Sequence, residues 1–249
     1  MQGEAYKECV NIKTNYGELK CSYDHPIYSR LYINHRQGDK RWKEYYYKFL
    51  PAKDVKHYSV NSAICLCDKL DIWGDLELFD PYLVGLLIGD GLYGKHKTPR
   101  LSNCDDYINS YIDSNYNTKI ERSYKTKDGK LYRETRILGL TSKLKDVGIY
   151  GQTKTNKRLP INYINLNKIS AANLLSGLFD TDGYVSSTRS EISITQSSIE
   201  LLKQIQFLLR KFGVWGRIQK IKPRIAPNRK DKNEYYTLLI RDHQSIYNF

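Results

Sequence analysis

Long apolar runs are missing from this chain. No stretch reaches the roughly 18 residues that a membrane-spanning helix needs, so no membrane partner is expected. The opening Met-Gln-Gly-Glu-Ala-Tyr-Lys-Glu lacks the apolar region of a secretory signal. No Gly-rich loop ends in Lys-Ser or Lys-Thr, which argues against a phosphate-cradling site and a nucleotide cofactor. Cysteine is sparse, at five residues, an odd number without paired spacing. The one close pair, Cys65-Leu66-Cys67, is a poor zinc signal and a poor disulfide framework. Reduced thiols inside a cell are the expected state. Acid is in deficit: 27 Asp and Glu stand against 40 Lys and Arg, a formal net charge of +13 over 249 residues. Such an excess points to a polyanionic partner, because neutralised phosphates release counterions.

What the chain does contain is a repeat. Leu83-Val84-Gly85-Leu86-Leu87-Ile88-Gly89-Asp90-Gly91 recurs as Leu175-Ser176-Gly177-Leu178-Phe179-Asp180-Thr181-Asp182-Gly183. Each copy is an apolar helical stretch with a small residue every fourth position, ending in Asp-Gly. Asp80-Pro81 supplies an N-cap and a first-turn proline for the first copy. Downstream, a strand is expected at 100–103 and a helix at 105–115. A hairpin at 118–124 and 131–140 and a short helix at 142–147 follow. The second half repeats this with a strand at 191–195, a helix at 198–212, a hairpin at 214–221 and 234–241, and a helix from 242. Residues 1–80 read as short strands and turns, with a hairpin at 9–13 and 17–23. Residues 37–48 read as a basic, aromatic loop or strand pair, and 51–60 and 62–67 as further β structure.

The fold class expected is α+β. Two pseudo-two-fold αββαββα units, residues 80–168 and 169–249, share a central two-helix interface. A small, mostly β segment at 1–79 precedes them.

Small residues spaced by four line one helical stripe and let two backbones approach. Asp90 and Asp182 then emerge together. Two close carboxylates repel, and a hard divalent cation relieves the repulsion. Mg²⁺ is the natural choice, with Mn²⁺ or Ca²⁺ able to replace it for binding. Acids on one side and a phosphate on the other suit two-metal phosphodiester hydrolysis. Taken singly, each Asp-Gly reads instead as a helix stop with glycine in a left-handed cap; the repetition on a basic chain favours the metal site. Asp180 faces Ile88 in the alignment of the motifs and reads as structural or as a support to the site.

The two motifs resemble the paired signatures of the LAGLIDADG homing endonucleases, most of all their intein-borne branch, over residues 80–249. In that family the last Asp of each motif binds the catalytic metals, helped by the preceding carbonyl. The resemblance therefore implies Asp90 with Gly89, and Asp182 with Thr181. Lys157-Arg158-Leu159-Pro160 resembles the family's K-x-I-P block, whose lysine points into the active site; Lys154 and Arg158 are its rivals. A second such lysine would fall beyond Phe249, so the second repeat reads as shortened. Residues 17–30 resemble the T-x-x-H block of Hint splicing domains, with Ser22 at the Thr position and His25 at the His. No splice-junction residues accompany them, so a partial splicing domain is expected.

The resemblance implies site-specific, Mg-dependent cleavage of both strands of double-stranded DNA, leaving short 3′ overhangs, by a monomer with an internal pseudo-dimer. The family's hairpins lie in the major groove. Candidate DNA contacts are Arg100, Lys119, Arg122, Lys125, Arg133 and Arg136 in the first half. In the second half they are Arg189, Arg217, Gln219, Lys220, Lys222, Arg224 and Arg229. Residues 36–48 extend the footprint onto flanking DNA. The competing functions are a non-cleaving DNA- or RNA-binding regulator or maturase on the same scaffold, and a protein-splicing fragment.

Overall fold

The computed structural model describes residues 7–55, 63–67, 69–221 and 234–249. It divides into two compact units, Met1–Asp68 and Lys69–Phe249.

In the first unit, β1 (Cys9–Thr14) and β2 (Gly17–Ser22) pair as a hairpin. A second hairpin joins β3 (Pro26–Gln37) to β4 (Lys40–Pro51), and β5 (Ala63–Ile64) pairs with the other edge of β3. Gly38 closes the β3–β4 turn at a φ of 58°, the positive value that a first turn position of type II′ requires. Residues 37–48 are thus the turn and most of one strand of a ribbon twelve residues long in each strand. Ala52–Asp54 forms a 3₁₀ turn where β structure was expected, and 56–60 lie outside the described residues. The apolar core here is small: Ile12, Ile27 and Ala52, flanked by Val10, Cys21, Val55 and Ile64.

The second unit opens eleven residues earlier than residue 80. The segment from Lys69 is tied to it by backbone hydrogen bonds, Leu70 N to Arg210 O and Leu76 N to Asn165 O among them. Its elements run α1 (Pro81–Asp90), β6 (Gly91–Leu92), β7 (Arg100–Asn103), α2 (Asp106–Asn115), β8 (Thr118–Lys125), β9 (Leu131–Ile137) and α3 (Thr141–Asp146). The same order then recurs as α4 (Lys168–Asp182), β10 (Gly183–Val185), β11 (Ile192–Gln196), α5 (Ile199–Lys211), β12 (Arg217–Ile221), β13 (Tyr235–Ile240) and α6 (His243–Asn248). The two sheets have equivalent strand orders, β6-β7-β9-β8 and β10-β11-β13-β12.

Local chemistry starts each helix. Asp80, Asp105, Asn167, Ser198 and Asp242 all cap with a side-chain oxygen on a backbone N–H. Asp80 also accepts hydrogen bonds from the hydroxyls of Tyr111 and Tyr116, which fastens the start of α1 to α2. In α5 the buried residues Leu201, Leu202, Ile205, Leu208 and Leu209 follow helical spacing and face the core. In α1 every residue from Leu83 to Gly89 is buried. That helix is surrounded, with α4 on one side and the sheets on the others.

The contact between α1 and α4 is made backbone to backbone. A Cβ on Gly85 would stand 2.3 Å from Leu174 O, and one on Gly177 would stand 2.2 Å from Tyr82 O. One turn on, a Cβ on Gly89 would meet Thr181 Oγ1 at 1.9 Å. Both helices stop on Asp-Gly, but neither glycine is left-handed. Gly91 has φ −80° and ψ 150°, and Gly183 has φ −76° and ψ 152°. The chain passes straight from helix into β6 and β10. Glycine is required because a Cβ would lie 2.3 Å from the carbonyl four residues back, at Leu87 or Phe179.

Gly85→Ala or Gly177→Ala should lower stability by about 1–3 kcal/mol or more through overpacking, read as a fall in the denaturation midpoint. Gly94→Ala is the control, because nothing lies within 4 Å of its Cβ. Equal midpoints for all three would refute backbone contact at the crossing.

Candidate metal and phosphate site

Asp90 and Asp182 end α1 and α4 and line one cleft together with Gly89, Lys154, Lys157, Gln196, Ser197 and Tyr235. The crossing brings them there. The Cβ position of Gly89 is only 3.2 Å from Asp182 Oδ2.

Each carboxylate is oriented by an amide from the last residue of the neighbouring strand. Asn103, ending β7, donates from Nδ2 to Asp90 Oδ2 at 3.1 Å. Gln196, ending β11, donates from Nε2 to Asp182 Oδ2 at 2.5 Å. These two residues hold equivalent places in the repeats, and sequence reasoning passed them over. The signal was present. In both halves an amide side chain stands two residues before a helix N-cap, Asp105 or Ser198. Among the described residues, Oδ1 of each aspartate accepts no hydrogen bond.

Lys157 lies in the connection between the repeats. Its ammonium donates to Gly89 O and sits 5.9 Å from the ring centre of the fully buried Tyr93. The segment is pinned to the start of α5. Ser198 Oγ donates to Lys157 O at 2.8 Å, and Ser197 Oγ donates to Lys154 O at 2.7 Å. Lys154 also enters the cleft, with its ammonium on the Tyr235 hydroxyl. Arg158 points elsewhere, 3.9 Å from Glu200.

The electrostatics are those of charge crowded into a half-buried place. Burial, then the Asp182 charge, holds the Asp90 carboxyl up at about 6, against the opposing pull of Lys157 and Asn103. Burial also raises Asp182, with Gln196 and Lys157 opposing. Burial lowers Lys157, while the two aspartates support its charge. Among the described residues no third His, Cys, Asp or Glu joins this pair. A hard cation that takes one or two carboxylates and fills its shell with water and phosphate oxygens fits such a donor set; Mg²⁺ binds in that way. The Gly89 carbonyl, the other ligand implied for this half, is engaged by Lys157. The Thr181 hydroxyl bonds within its own helix, to Gly177 O and Leu178 O at 3.0 Å. Asp180 lies apart from the pair and accepts from the Tyr82 hydroxyl at 2.7 Å, a tie between α1 and α4.

The basic candidates divide. Arg100, Lys119, Arg122 and Arg136 share one face of the first sheet with Glu134. Glu121 and Glu134 draw in the arginines: Arg136–Glu121 is 2.6 Å and Arg100–Glu134 is 2.9 Å. Arg133 lies on the opposite face, in a two-pronged pair with Asp113 at 2.7 and 2.9 Å. Lys125 shares that face, at the hairpin end. In the second sheet Arg217 and Gln219 share a face with Thr237 and with the cleft residues Thr195 and Tyr235. Lys220 projects to the other side and pairs with Glu234. Arg189 is exposed in the β10–β11 connection. Lys222, Arg224 and Arg229 lie outside the described residues. His25, in the first unit, is exposed in the turn between β2 and β3, and its carbonyl accepts from Ala52 N at 2.8 Å.

A raised carboxyl has a definite sign in stability. Asp90 stands at about 6 against an ordinary value of 3.8. Its protonated form therefore suits the fold, and the penalty of ionising it grows as pH rises through 6. In metal-free buffer Asp90→Asn should raise the melting temperature at pH 8 and leave it nearly unchanged at pH 4. A shift of equal size at both pH values would contradict this, as calorimetry can decide.

Residues 170–249 match the family model described as a LAGLIDADG-like domain. The chain is 29% identical over 216 residues to an ATP-dependent DNA helicase of Methanocaldococcus jannaschii, covering 80% of this chain and 18% of the helicase. It is 29% identical over 174 residues to the glutamine–fructose-6-phosphate aminotransferase of the same organism, covering 66% and 15%. It is 34% identical over 91 residues to the RecA protein of Mycobacterium tuberculosis, covering 34% and 11%. The chain thus spans less than a fifth of these curated relatives. Among solved structures, the homing endonuclease I-DmoI in complex with DNA and Mn aligns at a TM-score of 0.44 and 18% identity, over 68% of this chain and 92% of that one. Full-length DUF199/WhiA from Thermatoga maritima aligns at 0.44 and 14%, over 68% and 52%. The part of the chain that matches the LAGLIDADG-like domain model is the second repeat, from within α4 to the final residue.

Proposed function

We propose that this protein is a site-specific endonuclease that hydrolyses phosphodiesters in both strands of double-stranded DNA. The observation that carries the proposal is the convergence of Asp90, Asp182 and Lys157 in one cleft at the end of a glycine-tight helix crossing. The chain's excess of 13 positive charges supplies the attraction for a polyanion.

In this reading Asp90 and Asp182 would hold divalent cations, Mg²⁺ in the cell. The bound metal supplies a polarised phosphoryl oxygen and a more acidic water. Asn103 and Gln196 fix one oxygen of each carboxylate at the cleft. Lys157 places a positive charge beside the reacting phosphate, where it steadies developing negative charge. Burial lowers its proton affinity, which suits it to exchange a proton with the attacking water. Arg217 and Gln219 present groups able to read guanine and adenine edges, and the exposed Lys119 and Arg122 of the first sheet meet phosphates. One chain supplies both acids, so a monomer suffices. Short 3′ overhangs follow from the family resemblance.

The relatives support a self-contained role. A helicase, an aminotransferase and RecA have unrelated reactions, yet each matches this chain over less than a fifth of its length. A segment common to such hosts carries an activity separate from theirs, as an intein-borne endonuclease does.

Selection of cleaved sites from a random duplex library with Mg²⁺ should yield one preferred target. On that target Asp90→Asn and Asp182→Asn should each cut at least ~100-fold more slowly, and Lys157→Ala should lose about 100-fold, in the range of general acid–base effects. Parent-like cutting by either Asn variant would refute the metal site. Tight duplex binding with no nicking would favour the non-cleaving regulator or maturase. For roughly ten phosphate contacts, log affinity should fall with log salt at a slope of about −9, measurable by titration.

A further inference from the structure

The β3–β4 ribbon of the first unit carries an unusual outward face. Its twelve cross-strand pairs alternate between two sides. One side packs at its base, where Ile27 and Ser29 are buried. The other side bears five successive rungs: Tyr28 with Phe49, Arg30 with Tyr47, Tyr32 with Tyr45, Asn34 with Lys43, and Arg36 with Arg41. Five aromatic rings and four cations share this side, and no acid does. Glu44 points to the opposite side, on His35 at 2.8 Å.

The rings form a ladder. Tyr28 lies 4.9 Å from Phe49 and 5.9 Å from Tyr47 between ring centres. Arg30 sits 5.0 Å over Tyr45, and the Lys43 ammonium 4.7 Å over Tyr32. Tyr28, Tyr45, Tyr47 and Phe49 remain 44–65% exposed. A solvent-facing row of this kind marks an interaction surface. Its charge selects a polyanion, and its open ring faces select one that can offer flat apolar faces in return. A duplex hides its base faces; an unpaired strand shows them. Same-face rungs recur about every 7 Å along a strand, twice the roughly 3.4 Å rise per nucleotide of one nucleic-acid strand.

We propose that this face of the ribbon is a docking platform for a single nucleic-acid strand, with bases stacked on Tyr28, Tyr45, Tyr47 and Phe49 and phosphates held by Arg30, Arg36, Arg41 and Lys43. Stacking platforms of this composition bind with little sequence preference. The platform belongs to the first unit and shares no residue with the acid pair, so it holds or fails independently of the cleavage reading.

The test uses the full chain in EDTA, with fluorescence anisotropy of a labelled oligothymidylate of about 15 nucleotides, long enough for one such platform. Tyr47→Ala combined with Phe49→Ala should weaken binding at least roughly tenfold, at about 1–3 kcal/mol per stacked base. Tyr47→Phe, which keeps the ring, should bind as the parent does. Arg30→Gln with Arg41→Gln should flatten the salt slope by about 1.4, two phosphates' worth for a single strand. Duplex binding by the double alanine variant should fall less than its single-strand binding. Oligothymidylate binding unchanged by the double alanine variant would overturn the proposal. So would an equal loss for duplex and single strand, or a Tyr47→Phe loss matching that of alanine. Far-UV circular dichroism confirms that the variant ribbon is folded.

Discussion

Two backbones in contact, with no side chain between them, set the plan of the larger unit. At Gly85 and Gly177 the helices approach until a single methyl group would overlap a carbonyl. Everything functional is measured from that point. Each helix runs five residues further and ends on an aspartate, so the closeness of the crossing becomes the closeness of the acids. Both chains then leave through a glycine whose missing Cβ clears the last helical carbonyl. A looser crossing would separate the carboxylates; a different exit would turn the strands away from them.

The sheets do more than cover the helices. The strand that ends beside each aspartate contributes an amide to it, and the next helix is capped two residues later. Helix end, strand end and following helix start therefore form one hydrogen-bonded corner, built twice. Into this corner the inter-repeat connection inserts Lys157, held by Ser198 of the second half while its ammonium reaches Gly89 of the first. Burial makes every charge here uncomfortable alone. The neighbours relieve it in part: the amides and the lysine work against the rise of both carboxyls.

Much of this was legible in the residues. The doubled motif gave the central helices and their acids, because small residues at a spacing of four and a terminal Asp-Gly have few physical uses together. The helices expected at 105–115 and 198–212 and the hairpin expected at 118–124 and 131–140 are α2, α5 and β8–β9. The failures have physical causes. β6 and β10 are two and three residues long, too short for any alternation to register. The left-handed cap weighed as the alternative for Gly91 and Gly183 does not form, because sequence shows that glycine is needed but not whether φ or space demands it. Arg133 looked like a groove contact, yet strand parity turns it onto Asp113, a partner twenty residues away. The full β3–β4 ribbon was half seen. The expected segment at 37–48 took in the turn and most of β4 and missed the strand it pairs with.

Covalent joining of the repeats has one more effect. In a symmetric dimer each copy must carry whatever the other carries. Here the matched positions already differ: Val84 against Ser176, Ile88 against Asp180, Asn103 against Gln196. The single bridge between halves delivers its ammonium to one of them alone. A fused chain is thus released from palindromy. On the proposed function, its two sheets are free to fit unlike half-sequences, and its two carboxylates are free to work at unequal speeds.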